Sequence, residues 1–254
     1  MFSKFTLCQE EINCIPCGIG KYYDAVNYTH GSCVNCPQNF TTLQEQKFDI
    51  LHCVCEDGFY NDSHTCIPCL HGTYKSHEGN MSCDECPQDS TTPLRQSLGI
   101  LDCICNPGFF ETSPDTCTVC PAGTFKDNYG DEECTQCTEN SFSLSNSDDV
   151  TDCLCDLGFS GSPGEICHPC QVGKYRSDET QYFCSPCPEN YYNDELAQVT
   201  FFRACKPCPA NTESYAGSGE SIACVCVAGF HYDVSLSNSS RYHCVGCGTK
   251  LFES

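Results

Sequence analysis

Tryptophan is absent from this 254-residue chain, methionine occurs twice, and Lys and Arg together number only 12. Each shortage removes a class of function. Twelve cations against 34 acids leave a formal charge of −22. No basic face is left for a phosphate backbone or for anionic lipid headgroups. Neither nucleic acid nor membrane insertion within this segment is expected, and no stretch is long and apolar enough to span a bilayer. The length could hold one or two ordinary domains, but the runs of Leu, Ile and Val that a large shared core needs are missing. No phosphate loop, Ser-His-Asp arrangement or convincing pair of carboxylates is found, and the 8 His are scattered. No catalytic residues and no cofactor are expected.

What the chain has is cysteine, 29 of them. That density marks a disulfide or metal framework. Units of about 50 residues bury too little surface to hold together alone and usually need staples. In the loop-entropy picture a bridge closing about 15 residues contributes roughly 3 kcal/mol. Disulfides in turn require an oxidising compartment. The N-terminus, MFSKFTLCQEEINC, has no apolar signal core. The expectation is therefore an internal piece of a longer secreted chain, or one whose leader is missing. Cys8 and Cys247 each fall inside an incomplete repeat, which agrees.

The cysteines repeat. Successive copies start at Cys14, Cys66, Cys117 and Cys167, and each runs CxxC, CxxC, CxC. The fourth copy carries an extra pair, Cys205 and Cys208, before its CxC at Cys224 and Cys226. This predicts modules over 17–66, 69–117, 120–167 and 170–244, the last one extended, with partial modules at 1–16 and 247–254. Only two residues separate each module from the next, as in Ile67-Pro68 and Thr118-Val119. Such joints leave little slack and predict an elongated, semi-rigid rod.

A finer repeat lies beneath. Dividing the chain at every CxxC and CxC gives thirteen loops from Cys17 to Cys244. The third residue after each opening cysteine is Gly20, Asn39, Gly58, Gly72, Asp89, Gly108, Gly123, Asn140, Gly158, Gly173, Asn190, Asn211 or Gly229. Gly, Asn and Asp best tolerate positive φ, so each loop is expected to open with a tight turn there. An aromatic often follows: Tyr22, Tyr74, Phe125, Tyr175, Phe59, Phe109, Phe159 and Phe230. These rings are expected to pack on nearby disulfides as miniature cores. Sustained helical periodicity is lacking and Pro and Gly punctuate throughout, which predicts short β-hairpins. SLSNSS at 235–240 reads as a surface tip.

The stretch Cys120–Cys167 resembles the cysteine-rich repeat of ephrin-receptor ectodomains, a relative of epidermal growth factor-like modules. The residues that carry the likeness are CPAGTF at 120–125, ECTQC at 133–137 and CLCDLGF at 153–159. CLHGTY at 69–74, CVCEDGFY at 53–60 and CVCVAGF at 224–230 repeat it. The resemblance implies a small disulfide-rich fold of tandem modules at an extracellular or cell-surface location. It also implies the growth-factor pairing order. That order gives Cys17–Cys36, Cys33–Cys53 and Cys55–Cys66, then Cys69–Cys86, Cys83–Cys103 and Cys105–Cys117. Next come Cys120–Cys137, Cys134–Cys153 and Cys155–Cys167, and finally Cys170–Cys184, Cys187–Cys208, Cys205–Cys224 and Cys226–Cys244, with Cys8–Cys14 as a stub. The rival closes each loop on itself, for example Cys17–Cys33 and Cys36–Cys53. Six cysteines allow 15 pairings and spacing does not choose among them. Both orders leave Cys247 unpaired or pairing outward.

Zinc is the competing chemistry, because Cys66, Cys69, Cys83 and Cys86 have a four-thiolate spacing. Against it stand the CxC elements, the acidity, and five glycosylation sequons at Asn27, Asn39, Asn61, Asn80 and Asn238. Calcium-binding growth factor-like modules need an acidic motif before the first cysteine. Here the modules are preceded by IP, IP, TV and HP, so Asp131-Glu132-Glu133 and Asp148-Asp149 read as solvated loop charges. A repeated CxxC does not fit thioredoxin-like catalysis. Two functions remain. One is a non-enzymatic structural segment of a larger extracellular glycoprotein, as spacer, matrix component or surface filament. The other is a receptor or adhesion ectodomain fragment with a protein ligand. Expected partners are other extracellular proteins or copies of the chain itself, with N-linked glycans.

Overall fold

Each of the thirteen described loops begins with the same local event. In the computed structural model, which describes residues 16–24, 32–232 and 244–248, the opening cysteine is followed at once by a β-turn. Lys21 N–H donates to the Gly18 carbonyl (3.2 Å), Phe40 N–H to Pro37 (3.0 Å) and Phe59 N–H to Glu56 (3.2 Å). The third turn residue has positive φ at all thirteen expected positions, from Asn140 at 60° to Gly229 at 90°. This is the type II pattern, which needs a residue tolerant of the left-handed region. The turn launches a short strand that pairs antiparallel with the strand carrying or adjoining the closing cysteine. Among the described residues, thirteen separate two-stranded sheets result.

A second bond recurs after twelve of the thirteen described hairpins. The third residue after the closing cysteine donates its N–H to the carbonyl of the left-handed turn residue. Examples are Cys36 to Gly20 (2.8 Å), Glu56 to Asn39 (3.0 Å), Cys69 to Gly58 (2.8 Å) and Cys170 to Gly158 (2.8 Å). In a CxxC element that donor is the next opening cysteine; in a CxC element it is the residue after it. The two spacings therefore serve one ladder register, and differ in where the next disulfide is anchored on it.

Within a repeat the second loop folds back on the first. Gln46 N–H donates to the Cys17 carbonyl (2.9 Å), Gln96 to Cys69 (2.9 Å), Asn146 to Cys120 (3.0 Å), Ala197 to Cys170 (2.9 Å) and Gly217 to Cys187 (2.8 Å). All five donors have positive φ. The next turn of chain then accepts from the first strand, as in Tyr23 N–H to Lys47 (2.7 Å) and Lys75 N–H to Ser97 (3.0 Å). The extra loop of the fourth repeat, Cys187–Cys205, does both. It clasps the loop before it through Ala197, and is itself clasped by the loop after it through Gly217.

Helical turns close the second loops, which hairpin patterning alone does not anticipate. One-turn 3-10 segments span Ile50–His52, Ile100–Asp102, Val150–Asp152 and Ser221–Ala223, and a single α-turn spans Phe201–Ala204. Side-chain caps hold two of them, Asp49 Oδ1 accepting from Leu51 N–H (2.9 Å) and Asp149 Oδ1 from Thr151 N–H (2.8 Å). Asp102 instead accepts from the N–H groups of Leu98 and Gly99 (2.6 and 3.1 Å).

The buried set is mostly cysteine. Phe59 packs on Cys55–Cys66 with Phe40 against it. Tyr175, Tyr191 and Phe201 pack on Cys187–Cys205 and Ala204, with ring centroids 5.3 to 6.0 Å apart. Of the eight rings expected to form miniature cores, Phe59 and Tyr175 lie in these two clusters, and Phe40, Tyr191 and Phe201 join them from outside that pattern. The chain divides into two compact units, Met1–Thr118 with Tyr129–Glu132, and Val119–Asn128 with Glu133–Ser254.

Candidate functional site

The chemistry of this chain lies in its disulfides and in what they leave exposed. Each hairpin places its opening and closing cysteines side by side at one end. The thirteen bridges accordingly have Cα–Cα distances of 5.5 to 5.9 Å and separations of 11 to 18 residues. Pairing is sequential, and the growth-factor order is corrected at eight bonds. Cys17 pairs with Cys33, Cys36 with Cys53, Cys69 with Cys83, and Cys86 with Cys103. Cys120 pairs with Cys134, Cys137 with Cys153, Cys187 with Cys205, and Cys208 with Cys224. The reason is the turn after each opening cysteine. It sends the chain out and back, so the nearest thiol is the one closing the same hairpin. Cys55–Cys66, Cys105–Cys117, Cys155–Cys167, Cys170–Cys184 and Cys226–Cys244, common to both orders, are present. Cys8–Cys14 lies outside the described residues, as do Asn27, Asn238 and the tip at 235–240.

The four sulfurs with zinc-like spacing are distributed over three bridges, Cys55–Cys66, Cys69–Cys83 and Cys86–Cys103. Among the described residues no group of three His, Cys, Asp or Glu is placed to hold a metal, and no helix is long and apolar enough to cross a membrane. Cys247 is free and exposed, its Sγ 3.8 Å from Nδ1 of His231. An open concavity is lined by Ser160, Gly161, Glu165, Ile166, His168 and Phe183. Ser160 Oγ there donates to the backbone carbonyl of His168 (3.5 Å), so the hydroxyl is not engaged by the imidazole.

Three sequons fall on described residues. Asn39 is the left-handed residue of its turn. Asn61 lies in the strand Phe59–Asp62 and donates its Nδ2 to Asn80 Oδ1 (3.4 Å). Asn80 Oδ1 also accepts the Cys55 N–H (3.2 Å), and Asp131 Oδ1 does the same for Cys105 (3.1 Å). Asn80 and Asp131 are thus caps on the CxC loops. That local bond accounts for Asp131 as more than a solvated charge.

The surface carries large apolar side chains where the second loops turn back. Leu51, Leu101 and Phe202, the middle residues of their helical turns, are 81, 87 and 92% exposed. Leu43 and Leu94 are exposed earlier in the loops of Leu51 and Leu101, and Leu144 and Tyr215 are exposed in the corresponding loops Cys137–Cys153 and Cys208–Cys224. Ion pairing is sparse by contrast. Lys206 bridges Asp194 and Glu195, and its hydrogen bond holds the Asp194 carboxyl below its ordinary range.

A different set of polar groups is internal. Lys75, Lys126 and Arg176 are almost wholly buried, and so is Asn193 at the matching position of the extra loop. The sequence pattern points to aromatics and cysteines; the signal for these residues is a Lys or Arg six places after an opening cysteine.

Short two-stranded hairpins, self-closed disulfides and CxCxxGF turns in series are similar to tandem ephrin-receptor-like cysteine-rich repeats over the residues that match that family. Residues 55–103 and 108–153 match the family model described as tyrosine-protein kinase ephrin type A/B receptor-like. A 64-residue stretch is 34% identical to "Cysteine repeat modular protein B" of Toxoplasma gondii, covering 24% of this chain and 1% of that protein. The matched stretch is therefore a very small fraction of that relative.

Proposed function

We propose that this chain is a non-enzymatic structural segment of a larger extracellular glycoprotein, acting as a spacer, matrix component or surface filament. The observation that carries this reading is the series of thirteen loops, each closed by its own bridge and set one or two residues from the next, with the same hydrogen bond between neighbours recurring within each compact unit. Disulfides at this density need an oxidising compartment, and ephrin-receptor-like repeats point the same way, to the cell exterior or surface. The relative in which a similar stretch is about 1% of the protein supports the idea of a repeat used many times in a long chain. The partners in this reading are other extracellular proteins or further copies of the chain, and glycans are carried at Asn27, Asn39, Asn61, Asn80 and Asn238.

The test is small-angle scattering on the native chain and on a chain lacking residues 69–119, which removes one repeat and its joint. A spacer loses a fixed increment of maximum dimension. An unchanged dimension would refute the spacer role. The receptor or adhesion reading is favoured by the exposed Leu51, Leu101 and Phe202. It predicts a protein ligand whose binding is lost on L101D with all thirteen bridges intact.

A further inference from the structure

Burying a cation costs several kcal/mol unless its donors are satisfied, yet three repeats bury one at the same place. Lys75, Lys126 and Arg176 stand six residues after Cys69, Cys120 and Cys170, and are 0, 3 and 2% exposed. Carbonyls surround those at the two joints internal to the compact units. Lys75 Nζ donates to the carbonyl of Phe59 (2.6 Å) and to that of Gly79. One Arg176 amino group donates to the carbonyls of Cys155 (2.8 Å), Asp156 (2.9 Å) and Phe159 (3.0 Å), while the rest of the guanidinium takes Glu179 and Gln181. Among the described residues, no carboxylate forms a salt bridge with either cation. Burial lowers the Lys75 pKa, and the charges of Asp57 and Glu78 pull it back up.

The Phe59, Cys155, Asp156 and Phe159 acceptors belong to the CxC loop of the preceding repeat, whereas Gly79, Glu179 and Gln181 lie in the cation's own loop, and the backbone prepares the phenylalanine carbonyls. Because Cys69 N–H bonds Gly58 and Cys170 N–H bonds Gly158, the next pairs, Phe59↔Pro68 and Phe159↔Pro169, are non-hydrogen-bonded pairs of their ladders. The Phe59 and Phe159 carbonyls then face away from the partner strand, towards the incoming side chain. A reciprocal bond completes the contact, Gly58 N–H donating to the Lys75 carbonyl (2.9 Å) and Gly158 N–H to that of Arg176 (3.1 Å). The extra loop is an internal control. It follows no CxC loop, and its sixth residue is the neutral Asn193, which donates to the Lys174 carbonyl (2.9 Å).

We propose that the CxC loops Cys55–Cys66 and Cys155–Cys167 are each a recognition cup for one ammonium or guanidinium group carried six residues into the following repeat, and that this contact fixes the joint between them. The two-residue tether supplies proximity; the cation supplies orientation. Glu253 occupies the sixth place after Cys247, so the rule assigns no such cation to the loop Cys226–Cys244.

The experiment uses the full chain with its bridges verified by non-reducing peptide mapping. K75M and K75R are compared at the first joint, and R176M and R176K at the second, by amide hydrogen exchange. K75M is expected to speed exchange of the Gly58 amide about tenfold or more, the scale of a lost charge-assisted bond, while Tyr60 within the hairpin is unchanged. K75R is expected to stay within about threefold of the parent. Gly158 should respond to the Arg176 pair in the same way. Unchanged Gly58 exchange in K75M, or K75R as damaging as K75M, would overturn the proposal. If a Met variant mispairs its cysteines, the unaltered protein decides. Its Lys75 ammonium protons should exchange far more slowly than those of the exposed Lys174, and equal rates would overturn the proposal.

Discussion

Gly123 and Gly173 open equivalent loops with nearly the same backbone, φ +84° and +81°, and differ in what stands beside them. A Cβ added at Gly123 meets nothing within 4 Å, whereas at Gly173 it would lie 2.1 Å from the Gly217 carbonyl oxygen and 2.7 Å from its carbon. Substitution at Gly123 therefore incurs only the left-handed strain, about 1 kcal/mol or somewhat more for Ala and less for Asn, which visits that region readily. At Gly173 the neighbouring backbone must also move, and forced overpacking costs about 1–3 kcal/mol on top. Asn rescues strain but not collision, so the contrast between G123N and G173N isolates the close approach at about 2 kcal/mol. Global melting of a multi-unit chain is not a two-state measurement, so the readout is native-state exchange of the turn amides, Thr124 N–H to Pro121 and Lys174 N–H to Gln171. The expected order of protection is wild type, G123N, G123A, then both Gly173 variants well below. G173N as protected as G123N would refute the reasoning.

Alkylation of the native protein without reductant should modify Cys247 and no other described cysteine; several modified thiols at the described positions would contradict the bridge assignments. F59A should cost about 3 kcal/mol or more locally, read as faster exchange within Cys55–Cys66, because Phe59 is 7% exposed against that bridge; loss confined to the distal repeats would be wrong for this packing. Asp194 is held below its ordinary 3.8 chiefly by the hydrogen bond from Lys206. Its contribution is thus present above the unfolded value and lost as pH falls through the lower, folded one. NMR titration should show K206M returning Asp194 towards 3.8, and an unmoved midpoint would remove Lys206 as the cause.

The turns were legible because a local rule suffices for them: a residue tolerant of positive φ three places after a cysteine. Which of them must be glycine was not. First and CxC loops use Gly and second loops use Asn or Asp, but at Gly58, Gly158 and Gly173 the need comes from another loop's atoms pressing on the turn. Gln46, Gln96 and Ala197 have positive φ with no chemical signal at all. They are held there by bonds to a cysteine carbonyl one loop earlier, a tertiary constraint that propensity does not carry. The pairing order was open for the same kind of reason, since CxxC offers two thiols at almost the same distance along the chain and only the hairpin selects between them. Lys75 and Arg176 look like ordinary surface cations until their carbonyl cups are placed around them.

Because every described bridge spans 18 residues or fewer and none crosses another, oxidation can keep pace with synthesis. In an oxidising compartment each thiol would meet its mate within 18 residues of emerging chain, and no half-made loop would have to wait with an open sulfur for a distant one. An interleaved order would hold one cysteine reduced while a second loop was made around it. A chain built from sequentially closing hairpins can therefore be lengthened by one loop at a time, as Cys187–Cys205 illustrates, without rewiring those already closed.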